Sequence, residues 1–259
     1  MRAASLVLLA ACGRVGFDAV ARADDGGTDS SIDGPVAPTA GLIAYWPLDD
    51  GGGTVAVDAS GHGHDAALAG GVTWTTGQLG GAVMLDGTSG SLSTPQTADF
   101  QIARGPCTIS AWIWDDTPGN MLGAGMFHRI VTWFDSAGIE HVIGLGNGPS
   151  GTTRALFGGD VLVASGNEHK GVSTGDMSLG WHLVTASGDG TTYTLYVDGV
   201  VNTTGSLSVS ISSASNTTTL FIGQLGSNSR FVHGLIDDVR IYDRALSAAE
   251  VMQLYLATM

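Results

Sequence analysis

The chain from Gly41 onward consists of short strand-forming runs separated by turns that contain glycine, and 40 of its 259 residues are glycine. Two of these turns, at Asp189-Gly190 and Asp198-Gly199, follow runs of alternating apolar and polar residues. Asp-Gly is a strong hairpin signal because type I′ turns need positive φ. Roughly twelve strands without a helical pattern between them predict an all-β, two-sheet antiparallel sandwich or jelly roll.

Two local patterns near the ends of this body predict specific elements. Residues 82–95 place Asp86-Gly87 and Ser89-Gly90 between apolar residues, which predicts a hairpin. At the C-terminus, Ser247 and Glu250 form the S-x-x-E capping box, and an apolar helical periodicity follows. We therefore expect a short C-terminal helix beside the sandwich.

Residues 1–12 differ from the body because one basic residue and an apolar run precede Leu9-Ala10-Ala11-Cys12. This tetrapeptide resembles the lipobox of bacterial lipoprotein signals, in which the cysteine becomes the acylated N-terminus. The alternative is an incidental apolar N-terminus that ends in cysteine. The resemblance implies lipidation of Cys12 and anchoring in a bacterial cell envelope, and Gly13 rather than aspartate after it favours the outer membrane.

Composition divides the remainder of the chain into a linker and one domain. Residues 13–40 are rich in Gly, Asp, Ser and Pro and cannot bury enough surface to fold alone, so we predict a disordered acidic spacer there. Residues 41–259 then form a single domain.

The formal net charge of -14 argues against nucleic-acid partners, since few basic groups are present to neutralise phosphates. Nowhere does the sequence contain 18 consecutive apolar residues, so no transmembrane helix is predicted.

The sequence gives little support for catalysis. Glu140, Glu168 and Glu250 are far apart, whereas jelly-roll glycoside hydrolases carry paired acids at spacings such as E-x-D-x-E. The nucleophile elbow G-x-S-x-G does not occur in the sequence. Cys107 begins an apolar strand face and is predicted to be a buried hydrophobic residue rather than a nucleophile. We predict a protein that is not an enzyme.

Asp237 is the unusual residue of the strand predicted over 234–242. On an unbroken strand it shares a face with Val239 and Ile241, whereas Asp238 and Arg240 form an exposed pair on the other face. A carboxylate on an aliphatic face needs a metal, a cation or several N–H donors as its partner.

Five stretches together resemble the laminin G-like, concanavalin A-like jelly-roll domains of bacterial surface proteins. The first, residues 41–68, contains the D-x-S-G-x-G loop at Asp58, the last is "GLIDDVRIYDRALSAAEV", and the resemblance covers about residues 41 to 256. It implies two antiparallel sheets, often with one structural Ca²⁺ ion near the sandwich edge. The ion would be held by Asp58, Gly61 and His64 of the loop and by Asp237, which would explain that residue.

His62 and His64 depart from the family pattern, which usually has asparagine at both positions. Imidazole nitrogen is a poor calcium ligand, so Asp65 or a water would have to replace a lost oxygen, or the site is empty. One alternative is zinc bound by the two histidines with Asp58 or Asp237. The other is no metal at all, with the histidines facing solvent and Asp237 accepting backbone N–H bonds.

The predicted function is that of a surface-tethered binding module for carbohydrate or a cell-surface protein. Trp74, Trp114 and Trp133 are loose candidates for ligand contact, although tryptophans in such a fold more often belong to the core. Trp112 resembles the usual core tryptophan of the family. The alternatives are a structural or assembly lipoprotein of the envelope that binds proteins, and a glycan-processing hydrolase.

Overall fold

The computed structural model describes residues 34–95, 97–100, 105–115, 127–134, 140–147, 153–163, 166–175, 177–206, 219–226 and 230–259. Within these ranges lie sixteen strands, a 3-10 turn at Ala98–Phe100 and one α-helix. The strands form two antiparallel eight-stranded sheets, which confirms the predicted two-sheet sandwich. The predicted signal segment with Cys12, and the linker as far as residue 33, lie outside the described residues.

Sheet A contains β16, the strand that carries Asp237, at its centre. Its order is β14-β13-β12-β7-β16-β5-β4, and β1 also pairs with β16. The bounds are β1 Leu42–Trp46, β4 Val72–Thr76, β5 Gly81–Asp86, β7 Cys107–Asp115, β12 Gly180–Gly188, β13 Thr192–Val197, β14 Val200–Ser206 and β16 His233–Tyr242.

Sheet B has the order β11-β10-β9-β8-β15-β6-β3-β2. Its strands are β2 Val55–Ala56, β3 Ala66–Ala69, β6 Ser91–Thr94, β8 Phe127–Phe134, β9 Glu140–Asn147, β10 Thr153–Val163, β11 Gly166–Ser173 and β15 Leu220–Ile222.

Both predicted Asp-Gly hairpins are confirmed. Val197 pairs with Val200 across the second turn, where Asp198 has φ 52° and Gly199 has φ 76°. Two successive positive φ values are the signature of a type I′ turn, whose twist matches that of the flanking strands. The first turn joins β12 to β13, and its Asp189 carboxylate accepts the N–H groups of Thr191 and Thr192.

The predicted hairpin over residues 82–95 is wrong, because β5 belongs to sheet A and β6 to sheet B. Asp86 stabilises the crossing between the sheets. Its Oδ1 accepts the N–H groups of Thr88, Ser89 and Gly90 at 2.8–2.9 Å. These bonds hold the pKa of the Asp86 carboxyl well below its usual range despite an opposing contribution from burial. The turn-forming residues therefore predicted the turn correctly, but the two strands that it joins lie in different sheets and do not pair with each other.

Two separate hydrophobic clusters lie on the two faces of sheet A. The main core between the sheets contains Trp46, Ile113, Val239 and Ile241, together with the predicted buried Cys107. The second cluster places Trp112, Tyr196 and Tyr242 against the C-terminal helix α1, Ala248–Thr258. Trp112 is therefore covered by α1, outside the main core, and its indole N–H donates to Thr258 Oγ1 at 2.9 Å.

The predicted capping box at the start of α1 is present. Ser247 Oγ accepts the Glu250 N–H, and the Glu250 side chain accepts the Ser247 N–H. Among the described residues, no helix has the length and apolar character needed to cross a bilayer.

The end of the predicted linker packs on the folded body. The Val36 carbonyl accepts the Gln253 side-chain amide at 2.5 Å, and the Pro38 carbonyl accepts the Tyr242 hydroxyl at 3.0 Å. Arg244 Nε donates to the Ala40 carbonyl at 2.7 Å. Within the described residues, the segment 36–40 therefore packs on the folded body, because its backbone carbonyls accept hydrogen bonds from β16, from the helix and from Arg244 between them.

Candidate functional site

A β-bulge in β16 determines where Asp237 lies. Asp237 is opposite Trp112, but Arg240 is opposite Ser110, so β16 contains one extra residue between these pairs. Asp238, with φ 46°, occupies the bulge. Because a bulge reverses the alternation of faces, Asp237 lies on the Trp112 face, whereas Val239 and Ile241 belong to the main core. The predicted shared face of Asp237, Val239 and Ile241 is therefore wrong.

The Asp238–Arg240 pair is buried, which corrects the predicted exposed pair. Asp238 is 1% exposed and Arg240 6% exposed. The guanidinium binds both carboxylate oxygens, at 2.6 and 2.9 Å. Tyr45 completes the network: its hydroxyl donates to Asp238 at 3.0 Å, and the guanidinium carbon lies 4.0 Å from its ring centre. The bidentate pair and the cation–π contact offset the cost of burying two charges.

Asp237 is fully buried, and one of its carboxylate oxygens is satisfied. Oδ2 accepts the Leu79 N–H at 2.9 Å, and among the described residues Oδ1 has no hydrogen-bond partner. Burial, reinforced by the neighbouring Asp238 charge, raises the pKa of the Asp237 carboxyl to about 7 against the bonds that lower it. The predicted partner of this carboxylate is therefore present at Oδ2, and Oδ1 has none among the described residues.

Asp58 differs from Asp237 because both of its oxygens are satisfied by the protein. Oδ1 accepts the N–H groups of Tyr45 and Ser60, and Oδ2 accepts the His64 N–H and the Ser60 hydroxyl, at 2.8–2.9 Å. These bonds lower the pKa of the Asp58 carboxyl although burial opposes them. A carboxylate offers about four lone-pair positions, so this one has no free position.

The four predicted calcium ligands do not fit one Ca²⁺ ion as they are arranged. Asp58 is saturated, the His64 carbonyl accepts the Trp46 indole N–H at 2.8 Å, and the bonds of Asp237 go to a different loop. Gly61 has φ 90°, which allows the loop to turn. As a ligand, this glycine can supply only its one carbonyl oxygen. Calcium needs six to eight oxygens, and of the four carboxylate oxygens of Asp58 and Asp237, Oδ1 of Asp237 alone lacks a partner in the described structure.

The structure instead brings His62 and His64 together with Asp99. His64 Nε2 lies 3.0 Å and His62 Nδ1 3.6 Å from Asp99 Oδ2. His64 is 4% exposed, so the expectation that both histidines face solvent is wrong for this one. Asp99 was not predicted, because it comes from the 3-10 turn before β7 and no local motif marks it.

A second feature is a row of partly exposed apolar residues on the outer face of sheet A, which we call the apolar row. It runs directly across four strands through Met84, Leu235, Trp114 and Trp181. The Trp114 and Trp181 rings are in edge-to-face contact, with centres 5.9 Å apart. The residues one position away, such as Ile113 and Ile236, point into the main core.

The three predicted contact tryptophans do not form one surface. Trp114 belongs to the apolar row. Trp74 packs against the main core from the opposite face, and its indole N–H donates to the Gly53 carbonyl at 3.0 Å. The backbone of Trp133 is part of β8, but its side chain lies outside the described residues. Trp181 was missed, although its place in an alternating run marked it as a strand residue.

A sequence model described as the concanavalin A-like lectin/glucanases superfamily, of laminin G type, matches residues 86–252, more than half of the chain. The chain belongs to this superfamily. The resemblance seen in the sequence is therefore confirmed. No curated protein sequence is similar enough to match the chain.

Solved structures of similar fold include several binding domains. Domain 4 of an extracellular arabinanase from Geobacillus stearothermophilus, in complex with arabinotriose, has TM-score 0.58 and 20% identity, covering 83% of this chain and 98% of that one. The binding domain of botulinum neurotoxin DC in complex with SialylT has TM-score 0.63 and 13% identity, covering 85% and 52%. The binding domain of Paraclostridial Mosquitocidal Protein 1 has TM-score 0.60 and 17% identity, covering 84% and 52%. This chain thus spans about half the length of the two toxin domains.

The superfamily description covers both lectins and glucanases, so one Ser–His–Asp arrangement in this member bears on function. His182 Nε2 lies 3.1 Å from Ser178 Oγ, and His182 Nδ1 lies 2.8 Å from Asp198 Oδ2. However, Nε2 lies equally near the Ser178 carbonyl, and the Asp198 carboxylate raises the pKa of His182. When Nε2 carries its proton and donates it to this carbonyl, it cannot accept the serine proton. We interpret this arrangement as a link between a loop and a hairpin turn.

Proposed function

We propose that this chain is a non-enzymatic carbohydrate-binding module tethered to the bacterial cell envelope through Cys12. The observation that carries the proposal is the Trp114–Trp181 pair, which presents two partly exposed indoles side by side on a sheet face. Binding domains of similar fold, one of them solved in complex with arabinotriose, support it. A protein partner on the cell surface is the alternative occupant of this face.

Two indoles in edge-to-face contact make a rigid platform. The apolar face of a sugar ring stacks on an indole with little loss of side-chain entropy, because tryptophan has only two rotatable side-chain bonds. The strand pairing fixes both backbones, and the Trp181 indole also packs against the hydrophobic cluster under α1. Met84 and Leu235 extend the apolar surface beside them. Neighbouring strands lie about 4.8 Å apart, so this surface matches a short oligosaccharide laid across the strands.

The charge of the chain narrows the class of glycan. With 24 acidic and 10 basic residues, the protein repels anionic ligands over the range of its electrostatic field. A neutral oligosaccharide experiences no such repulsion. We propose neutral glycans, rather than sialylated or sulfated ones, as the ligands.

The test is a glycan array with the full chain, followed by titration calorimetry with the strongest neutral oligosaccharide. Trp181→Ala and Trp114→Ala are expected to weaken binding at least tenfold, since each removes one stacking surface. Trp74→Ala is the matched control because that indole faces the other side of sheet A, and unfolding temperatures verify that all variants fold. Absence of glycan binding by a folded wild type, or equal loss in all three variants, would favour the envelope-assembly alternative.

Tethering is tested separately in a bacterial host. Metabolic labelling with a fatty-acid analogue is expected to label the wild type, and Cys12→Ser is expected to abolish the label and release the protein from membranes. Labelling that persists in Cys12→Ser would refute lipidation at this residue.

A further inference from the structure

We propose that His62, His64 and Asp99 form a binding site for a zinc-class transition-metal ion, at the mouth of a pocket between the Asp58 loop and the 3-10 turn. The three side chains each offer one ligand atom, and these atoms lie within 4.8 Å of one another. Two imidazoles and one carboxylate are a donor set that zinc prefers and calcium does not. The site is independent of carbohydrate binding at the apolar row.

The glycine loop positions the two histidines on one side. Gly61 and Gly63 flank His62 with φ values of 90° and 79°, which other residues rarely adopt. The turn brings the rings of His62 and His64 nearly parallel, 13° apart, with centres separated by 6.1 Å.

His64 is fixed in place before any ion binds. Its N–H donates to Asp58 and its carbonyl accepts the Trp46 indole N–H. Its ring packs against Phe100, with centres 4.5 Å apart. The saturated Asp58 carboxylate, which does not suit a calcium ligand, thus acts as a support for the His64 backbone. A preformed ligand reduces the entropy lost when a metal binds.

The distances suit a four-coordinate ion. With bonds of about 2.0–2.1 Å, tetrahedral geometry places neighbouring ligand atoms about 3.4 Å apart. The two observed His–Asp separations, 3.0 and 3.6 Å, lie on either side of this value. The separation between the two histidine ligand atoms is at most 4.8 Å, so these nitrogens would have to approach one another by up to about 1.4 Å to complete the coordination. His62 and Asp99 are 43% and 42% exposed in their side chains, so both can make that movement.

A pocket adjoins the proposed site. The pocket has a volume of about 410 Å³, and its lining includes His62, Asp99 and Asp243. A metal site with three protein ligands and an open position holds water or a ligand oxygen in the fourth place. The pocket therefore offers room for a hydroxyl or carboxylate oxygen on the ion.

The experiment titrates the full chain with Zn²⁺ alone and with Ca²⁺ alone by calorimetry, and with Co²⁺ by visible absorption. We expect one Zn²⁺ per chain, no Ca²⁺ binding that depends on these residues, and the intense visible bands of tetrahedral Co²⁺. Asp99→Asn and His62→Asn, both at partly exposed positions, are expected to weaken Zn²⁺ binding at least tenfold and to remove the bands. Asp50→Asn, an exposed acid on another loop, is the control.

Two results would overturn the proposal. One is a folded wild type that binds no Zn²⁺, which would leave a plain hydrogen bond between His64 and Asp99. The other is Zn²⁺ binding of equal strength in the wild type, Asp99→Asn and His62→Asn, which would place the ion elsewhere. Equal unfolding temperatures without metal verify that the variants differ in ligands rather than in folding.

Discussion

His182 Nδ1 lies 2.8 Å from Asp198 Oδ2, so a side chain at the start of β12 is bonded to the type I′ turn that joins β13 to β14. The bond raises the pKa of His182, which means that the folded state favours the imidazolium. A raised pKa stabilises the fold below the ordinary histidine value of about 6.5 and ceases to do so as pH rises through the folded value.

Asp198→Asn is therefore expected to lower the free energy of unfolding by about 1 kcal/mol at pH 5.5 and by less at pH 8.5. Asparagine tolerates the positive φ of this turn and can still accept the Leu183 N–H. Urea denaturation at the two pH values measures the difference. A loss of equal size at both would show that the charge on His182 contributes nothing.

Asp237→Asn is expected to change how stability depends on pH. Because burial raises the pKa of this carboxyl from 3.8 to about 7, its contribution to the free energy of unfolding of the wild type falls as pH rises from 4 to 7. The total fall is roughly 4 kcal/mol for a shift of this size. Asparagine does not ionise, so the variant should lack this slope in denaturation curves recorded across that range.

The same two proteins test the calcium prediction made from the sequence. An ion bound to Asp237 would raise the unfolding temperature of the wild type in millimolar Ca²⁺, and chelator would reverse the rise. Asp237→Asn would show neither change. If calcium has no effect on the wild type, the misfit of the four predicted ligands is the explanation.

Arg240→Met is expected to destabilise the fold by about 3–5 kcal/mol, because it leaves the buried Asp238 carboxylate without its cation. The double variant Asp238→Asn with Arg240→Met removes both charges and should recover part of that loss. Tyr45 retains its hydrogen bond to position 238 in both. Chemical denaturation of the two variants decides the point, and a double variant less stable than the single one would contradict it.

Gly77→Ala is expected to destabilise the protein by about 1–3 kcal/mol through overpacking. A Cβ atom at Gly77 would overlap the Gly81 carbonyl and the Asp237 carboxylate, neither of which is a flexible chain end. Gly52→Ala is the matched control, since no atom lies within 4 Å of its Cβ position. Thermal unfolding compares the two, and equal unfolding temperatures would show that the 77–81 loop yields to the added methyl.

Sequence reasoning predicted the elements whose causes are local. The Asp-Gly turns and the Ser247–Glu250 cap depend on residues within four positions of one another, and both are present. The turn at Asp86 looks the same locally but joins strands of different sheets, and nothing within the turn specifies that.

The site depends on relationships that a single sequence does not contain. One extra residue at Asp238 reverses the faces of β16, and strand alternation gives no warning of a bulge. Asp99 meets His64 across 35 positions, and Trp181 meets Trp114 through strand pairing alone. The histidines were predicted as a metal-binding alternative, but their acidic partner could be found only in three dimensions.

The central place of β16 has a consequence for biosynthesis. This strand, His233–Tyr242, pairs with β1, β5 and β7, so sheet A stays incomplete until residues 233–242 have left the ribosome. Contacts between residues so distant in sequence form slowly. A nascent chain therefore cannot complete sheet A before β16 has been synthesised, however early its local hairpins form.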